Sequence, residues 1–476
     1  MSYNKNQKLE LDIIDMTKDG LGVAKKDSQV FFVKDAVPGD KVSAVVTKVT
    51  SNVIYAKTLD VISKSKYRVE PMCKVANRCG GCKLLNLDYD KQIELKKENT
   101  LNTISKIGKF DKDLLHNYYD GILTIETKKN YRNKMQVPFV MKNEEVVYGF
   151  YAGRTHHIVE FDNCVVGFKY SDIILKIIKE NIAKHNISIY DENTGEGVFR
   201  EVMLRKGNST HEISITYILN DKNVDKHMSL YQAFDTDVLT DIKDKLSHLG
   251  KDSSITSTIN VNTGNNNVLF GKENIVLSGK GHIEDSIGTI RYHISPESFY
   301  QVNIEMTKKL YDKIIDYADF KGNEKVLDLY CGIGTISLYV ARNVKSVLGV
   351  EIVDKAVENA KENTKLNSIT NAHFICLDTS KLDTENIKKC DNTLDYDTVI
   401  VDPPRSGLDG RTLDFIKDID PEKIIYVSCD LATLARDLDY FCHNGGKYSL
   451  KKFLNVDMFP HTMHIETVAL LHHILG

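Results

Sequence analysis

Hydrophobic and polar positions follow a different rhythm in each third of the chain. From Lys8 to Ile62 the apolar residues fall in short runs, Leu9 to Ile14, Val30 to Val33, Lys41 to Val49 and Val53 to Val61, parted by Gly20-Leu21-Gly22 and Pro38-Gly39-Asp40. Short strands with glycine turns at this spacing predict a small β-barrel. A largely polar helix is expected over about 88–107, with Ile93, Leu101 and Ile104 among its apolar positions and Gly108 as its stop. A β-rich region then runs to about Ile290, broken by a helix near Ile173 to His185, and 174–281 shows no repeat, low-complexity tract or motif. After a helix ending near Phe320, short apolar runs alternate with amphipathic helices: Val326 to Leu329, Val347 to Val350, His373 to Cys376, Thr398 to Val401 and Ile424 to Val427 read as strands. That alternation predicts a doubly wound parallel sheet. The expected fold class is α/β, in three units at about 1–62, 63–290 and 291–476.

Composition narrows the partners. With 63 basic against 66 acidic residues the net charge is −3, so nucleic-acid binding would need a local basic face. No apolar run approaches the ~18 residues of a membrane helix, and Met1-Ser2-Tyr3-Asn4-Lys5 has no signal-like apolar core, so no membrane and a cytoplasmic location are expected. Nine cysteines, three of them between positions 73 and 82, do not resemble a secreted disulfide framework and point to metal or catalysis.

Cys73 and Cys79-Gly80-Gly81-Cys82 bring three thiols close in sequence, and the glycines let the backbone turn tightly between the last pair. Cys164 is the best fourth ligand, because no other cysteine precedes the C-terminal unit. All-cysteine ligation suits zinc or an iron–sulfur cluster, and the uneven spacing leans towards iron–sulfur. Tyr131-Arg132-Asn133-Lys134 puts two cations beside an aromatic ring, a set that grips RNA phosphate and base or else forms a plain solvated turn.

In the C-terminal unit Tyr330-Cys331-Gly332-Ile333-Gly334-Thr335 follows the first strand, where two glycines let the backbone approach a ligand. Glu351 ends the second strand, placed to accept from ribose hydroxyls, and Asp378 follows the third. The missing third glycine fits S-adenosylmethionine better than a dinucleotide. Asp402-Pro403-Pro404-Arg405 follows the fourth strand, with the prolines holding Asp402 extended towards the cleft. Cys429 sits between a strand and a helix start, where backbone amides and the helix dipole favour a thiolate. Glu466 precedes the last strand, so Asp402, Cys429 and Glu466 are expected around one cleft.

These residues together resemble the 23S ribosomal RNA uracil-5-methyltransferases of the iron–sulfur kind, with an N-terminal TRAM barrel. The likeness covers the barrel, Cys73, Cys79, Cys82, Cys164, Tyr131 to Lys134, Ser295 to Asn303 and every motif of the last unit. It implies a 4Fe-4S cluster on the four cysteines, S-adenosylmethionine contacts at Gln301, Tyr330, Glu351 and Asp402, a nucleophile at Cys429 and a base at Glu466. Asp430 and Leu431 stand where many members have asparagine and proline. The implied substrate is 23S rRNA, for an enzyme expected to act as a monomer. Two other readings are an RNA-binding protein without catalysis and a base-flipping amino-group methyltransferase using Asp402 to Arg405.

Overall fold

The computed structural model describes residues 3–153, 155–248, 253–265, 268–378, 382, 384–388, 394–443 and 446–474. Its first sheet orders six strands as Lys8–Asp12, Lys41–Val49, Ile54–Ser63, Gln29–Lys34, Gly22–Lys26 and Asp15–Met16. Val42, Ala44 and Val46 are buried while Lys41, Ser43 and Val45 between them are not, the period of a strand with one face on a core. The sheet curls towards closure where the Ile14 amide donates to the Val23 carbonyl at 2.8 Å. Gly22, read as a turn, begins a strand instead. Asp40 accepts from the Val37 amide within its turn at 2.9 Å and from the Arg68 guanidinium, Nη2 to Oδ2 at 2.6 Å and Nε to both oxygens at 3.0 Å, which ties the barrel to the chain beyond it.

A second sheet runs Ile158–Glu160, Glu145–Tyr151, Lys134–Lys142, Phe199–Lys206, Ile213–Leu219, Ile255–Val261 and Glu273–Ser278. Helix Ser171–Lys184 packs beside a 21-residue helix, Met228–His248, which the β-rich reading up to about Ile290 did not contain. Its buried residues Tyr231, Phe234, Asp235, Val238, Leu239 and Ile242 keep a helical period. The pattern is blurred by Asp235, a carboxylate on the buried face that accepts from Tyr217 Oη at 2.9 Å and Ser257 Oγ at 2.7 Å.

The largest sheet has eight strands, Ala372–Cys376, Ser346–Glu351, Lys325–Leu329, Thr398–Val401, Lys423–Ser428, Glu466–His473, Tyr448–Val456 and Tyr119–Leu123. The first five are parallel, and Glu466–His473 is antiparallel to both its neighbours. The chain order reverses beside Lys325–Leu329, so the clefts for ligands lie past the carboxyl ends of that strand and of Thr398–Val401.

Two parts of the expected division, the stretch 89–123 and the boundary at 290, do not follow these layers. Tyr119–Leu123 is the edge strand of the C-terminal sheet, and helices Tyr89–Gly108 and Lys112–Tyr118 pack on its face, so 89–123 joins that layer. The reason is apolar: Leu101, Ile104 and Leu115 share one core cluster with Leu434, Ala435 and Leu438. The hairpin Ile283–Ile287 and Ile290–Ile294 also straddles the boundary at 290. No helix among the described residues is long and apolar enough to cross a membrane.

Candidate active site

The turn after Lys325–Leu329 is built for close approach. Tyr330, Gly332 and Gly334 all have positive φ, at 66°, 55° and 79°. A Cβ on Gly334 would stand 2.7 Å from the Phe374 ring, so only glycine serves there. The Gly332 amide donates to Glu351 Oε2 at 3.0 Å, and Glu351 Oε1 accepts from the amides of Ile352 and Val353, each at 2.9 Å. Glu351 is thereby fixed at its strand end. Ile352 and Val353 are exposed beside it. Asp378 stands past the neighbouring strand, on the same edge of the sheet. Asp328 is fully buried and accepts from Ser337, so it braces the turn from behind.

The next strand ends carry the other acids and the thiol. A cavity of about 600 Å³ is lined by Gln301, Arg405, Cys429, Thr462, His464 and Glu466, and continues to Cys73, Cys79, Cys82 and Cys164. Glu466 is buried at the first position of its strand, and burial, then Asp402, pushes its carboxyl up to about 8 against the opposing pull of Arg405. Burial pushes Asp402 up to about 7. Gln301 is buried, its carbonyl held by Asn133 Nδ2 at 2.9 Å.

Cys429 departs from the thiolate expected of its position. Burial, followed by the carboxyls of Glu466 and Asp402, pushes its thiol up to about 11, with Arg405 the chief opposing charge. The helix start does not offset this, because Asp430 caps it: the Asp430 carboxylate accepts from the Ala432 and Thr433 amides at 2.9 and 3.2 Å. Those donors are spent on the cap.

The four predicted cysteines converge, all partly buried. Burial raises the Cys79, Cys82 and Cys164 thiols, Cys82 to about 12, and the thiols raise one another. Backbone amides already point at them: Gly81 N–H donates to Cys79 Sγ at 3.4 Å, and those of Val166 and Gly167 lower Cys164. Gly80 is pressed against the Tyr151 carbonyl, which a Cβ would approach to 2.5 Å. The loop is thus folded around its sulfurs.

Tyr131-Arg132-Asn133-Lys134 splits. Tyr131 is buried and donates to the Pro460 carbonyl at 3.2 Å, so its ring is not offered to a base. Arg132 and Lys134 line the cavity, and burial then Arg205 brings Lys134 down to about 8. The motif reading had not singled out Phe299, which is 71% exposed on the cavity wall. A lone phenylalanine in a polar loop, two residues before Gln301, was the available signal.

Known proteins resemble this chain along its length. Residues 226–474 match the family described as tRNA (Uracil-5-)-methyltransferase, and residues 4–59 match the TRAM domain. An RNA methyltransferase of Clostridium tetani is 38% identical over 468 residues, covering 98% of this chain and 96% of that one. One of Listeria innocua is 38% identical over 468 residues, covering 98% of each. Among solved structures, the Pyrococcus abyssi tRNA (uracil-54, C5)-methyltransferase in complex with S-adenosyl-L-homocysteine has a TM-score of 0.74 at 26% identity, covering 97% of this chain and 99% of that one. With a full-length relation to RNA methyltransferases and a catalytic half that matches the uracil-5 model, the chain belongs to the RNA (uracil-5-)-methyltransferase family and carries an N-terminal TRAM domain.

Proposed function

We propose that this S-adenosylmethionine-dependent RNA methyltransferase acts as a cytoplasmic monomer on carbon 5 of a uridine in 23S rRNA, through a covalent bond between Cys429 and uracil carbon 6. The observation that carries the reading is the meeting of Cys429, Glu466 and Arg405 on one cavity wall, with Asp402 in electrostatic reach of both Cys429 and Glu466.

Bound S-adenosylmethionine supplies an electrophilic methyl group. Glu351 has both carboxylate oxygens fixed by backbone amides and open lone pairs for ribose hydroxyls, and Gln301, Tyr330, Gly332, Gly334, Asp378 and Asp402 complete the proposed contacts. Uracil carbon 5 is too weak a nucleophile alone. As Cys429 gives up its proton to solvent water and its sulfur bonds to carbon 6, the pair of the 5,6 double bond moves into an enolate. Carbon 5 then bonds the methyl carbon as the carbon–sulfonium bond breaks. Glu466 takes the proton from carbon 5, the double bond re-forms, and the carbon 6–sulfur bond breaks to free Cys429. A carboxyl raised to about 8 is a stronger base than an ordinary glutamate once it has lost its own proton. Arg405 lowers both groups and favours their anionic forms. The uridine must leave its stack to reach the cavity.

A 4Fe-4S cluster on Cys73, Cys79, Cys82 and Cys164 belongs to the same proposal. Amides directed at sulfur suit thiolates on iron. When bound, the cluster would supply a rigid cross-link between the 73–82 loop and Cys164.

A second reading is a tRNA substrate. The Pyrococcus abyssi enzyme, named for tRNA, matches along almost the whole chain, so barrel and layer architecture do not separate the two RNAs. The test mixes cluster-loaded protein, S-adenosylmethionine and 5-fluorouridine-containing 23S rRNA or tRNA. Fluorine does not leave as a proton does, so a denaturing gel should show an RNA–protein band with rRNA that Cys429→Ala abolishes. A band with tRNA alone moves the substrate to tRNA. No band with either RNA overturns the covalent mechanism and favours the amino-group or binding-only reading.

A further inference from the structure

A second constellation of ligating side chains lies outside both the catalytic cavity and the cysteine loop. The hairpin Ile283–Ile287 and Ile290–Ile294 sets Glu284 directly across from His293, and His282 immediately precedes it. The two imidazole centroids are 4.6 Å apart with the rings tilted by 37°. His293 Nε2 is 3.6 Å from Glu284 Oε1, and one ligand atom from each of the three residues lies within 4.8 Å of the other two. All three residues are half-buried, so water and ions reach them. Around a zinc ion, with bonds of about 2.0–2.2 Å, nitrogen and oxygen donors sit about 3.4 Å apart. Closing onto an ion therefore needs side-chain movements of roughly an ångström, with no change of backbone.

We propose that His282, Glu284 and His293 bind one divalent transition-metal ion of the zinc class, leaving further coordination positions to water. A two-histidine, one-carboxylate set suits such ions and not magnesium or calcium, which prefer oxygen. The surroundings prepare the ligands. The His282 ring hydrogen-bonds the backbone of Lys280, which restrains the ring. The backbone is held from two sides: Glu212 Oε2 takes the Glu284 amide at 2.6 Å, Thr210 Oγ1 donates to the Glu284 carbonyl at 2.6 Å, and Asn363 Oδ1 takes the His293 amide at 2.7 Å. Lys280 Nζ stands 3.5 Å from Glu284 Oε1 and 3.7 Å from Glu212 Oε1, an ammonium that competes with the metal for the carboxylate.

An ion here would clamp the hairpin where it passes from the central sheet to helix Asp354–Leu366, just ahead of the loop that carries Gln301. The site rests on its own geometry and stands or falls independently of the reaction proposed above.

The test is anaerobic calorimetric titration of the full-length, cluster-loaded protein with zinc chloride, comparing wild type with His282→Ala/His293→Ala, which keeps every thiol. One equivalent should weaken at least tenfold in the double variant, along with the zinc-dependent rise in melting temperature. Glu284→Gln, which preserves size, should lose the same equivalent and guards against a folding defect. Lys280→Met should tighten that equivalent several-fold by removing the competing ammonium. Equal stoichiometry and affinity in wild type and both ligand variants would overturn the site, as would zinc binding that weakens in Lys280→Met.

Discussion

Cys429 and the cysteine loop line one cavity, and different neighbours raise their thiols. Cys429 is raised by burial and by two carboxyls, Glu466 and Asp402. Cys79, Cys82 and Cys164 are raised by burial and by other thiols. An array of thiols that oppose one another's ionisation is relieved by a cation shared among them. A thiol opposed by carboxyls is relieved when charge moves off its sulfur, as it does into the ring enolate when sulfur bonds to an electrophilic carbon. Burial alone therefore does not tell a ligand from a nucleophile, whereas the sign and kind of the neighbours does.

The strongest break in this comparison is Cys429→Ala. Methyl transfer should fall by about 10⁴-fold or more, measured as labelled methyl incorporated into RNA, while bound iron is unchanged. Glu466→Gln should lower turnover by about 10²–10⁴-fold and let the covalent RNA adduct accumulate on ordinary uridine, because carbon 5 keeps its proton. If the adduct does not accumulate, Glu466 is not the base. Cys82→Ser should lose iron and sulfide and cost about tenfold in activity, with a fall of several degrees in melting temperature. The pH dependence is a finer probe. Glu466 at about 8 and Cys429 at about 11 both hold protons at neutral pH, so kcat/KM should rise from pH 6 to 9. Arg405→Gln removes the cation that lowers both groups and should move that rise to higher pH by roughly half a unit to one unit.

The smallest effect is on stability, and its sign follows from linkage. Glu466 is raised from 4.5 to about 8 on folding, so the folded state binds the extra proton and stability falls as pH climbs between those values. Glu466→Gln should melt a few degrees above wild type at pH 9 and show little difference at pH 4.

Much of this was legible in the chain. The strand-end motifs at Tyr330 to Gly334, Glu351, Asp402 and Cys429 fell where the strands end, because buried parallel strands are short apolar runs with abrupt polar ends. The helix Met228–His248 was not legible, since a partnered buried Asp235 interrupts its apolar face. Nor was the attachment of Tyr119–Leu123 to the far edge of the C-terminal sheet, where three of its residues pair with a strand more than 300 positions away. Tyr131 to Lys134 stayed open in sequence between RNA grip and solvated turn because a tyrosine beside cations looks the same whether its hydroxyl reaches solvent or, as here, the Pro460 carbonyl.

By itself the sequence determined the order of the units, the alternation that yields the parallel sheet, and the residue types able to do the chemistry, since these depend on local periodicity and turn geometry. The tertiary structure alone decided their protonation. The Cys429 thiol is raised by burial and then by Glu466 and Asp402, which arrive from other strands, while an Asp430 cap spends the helix amides. Charge interactions act through space, and a chain read in one dimension does not contain those distances.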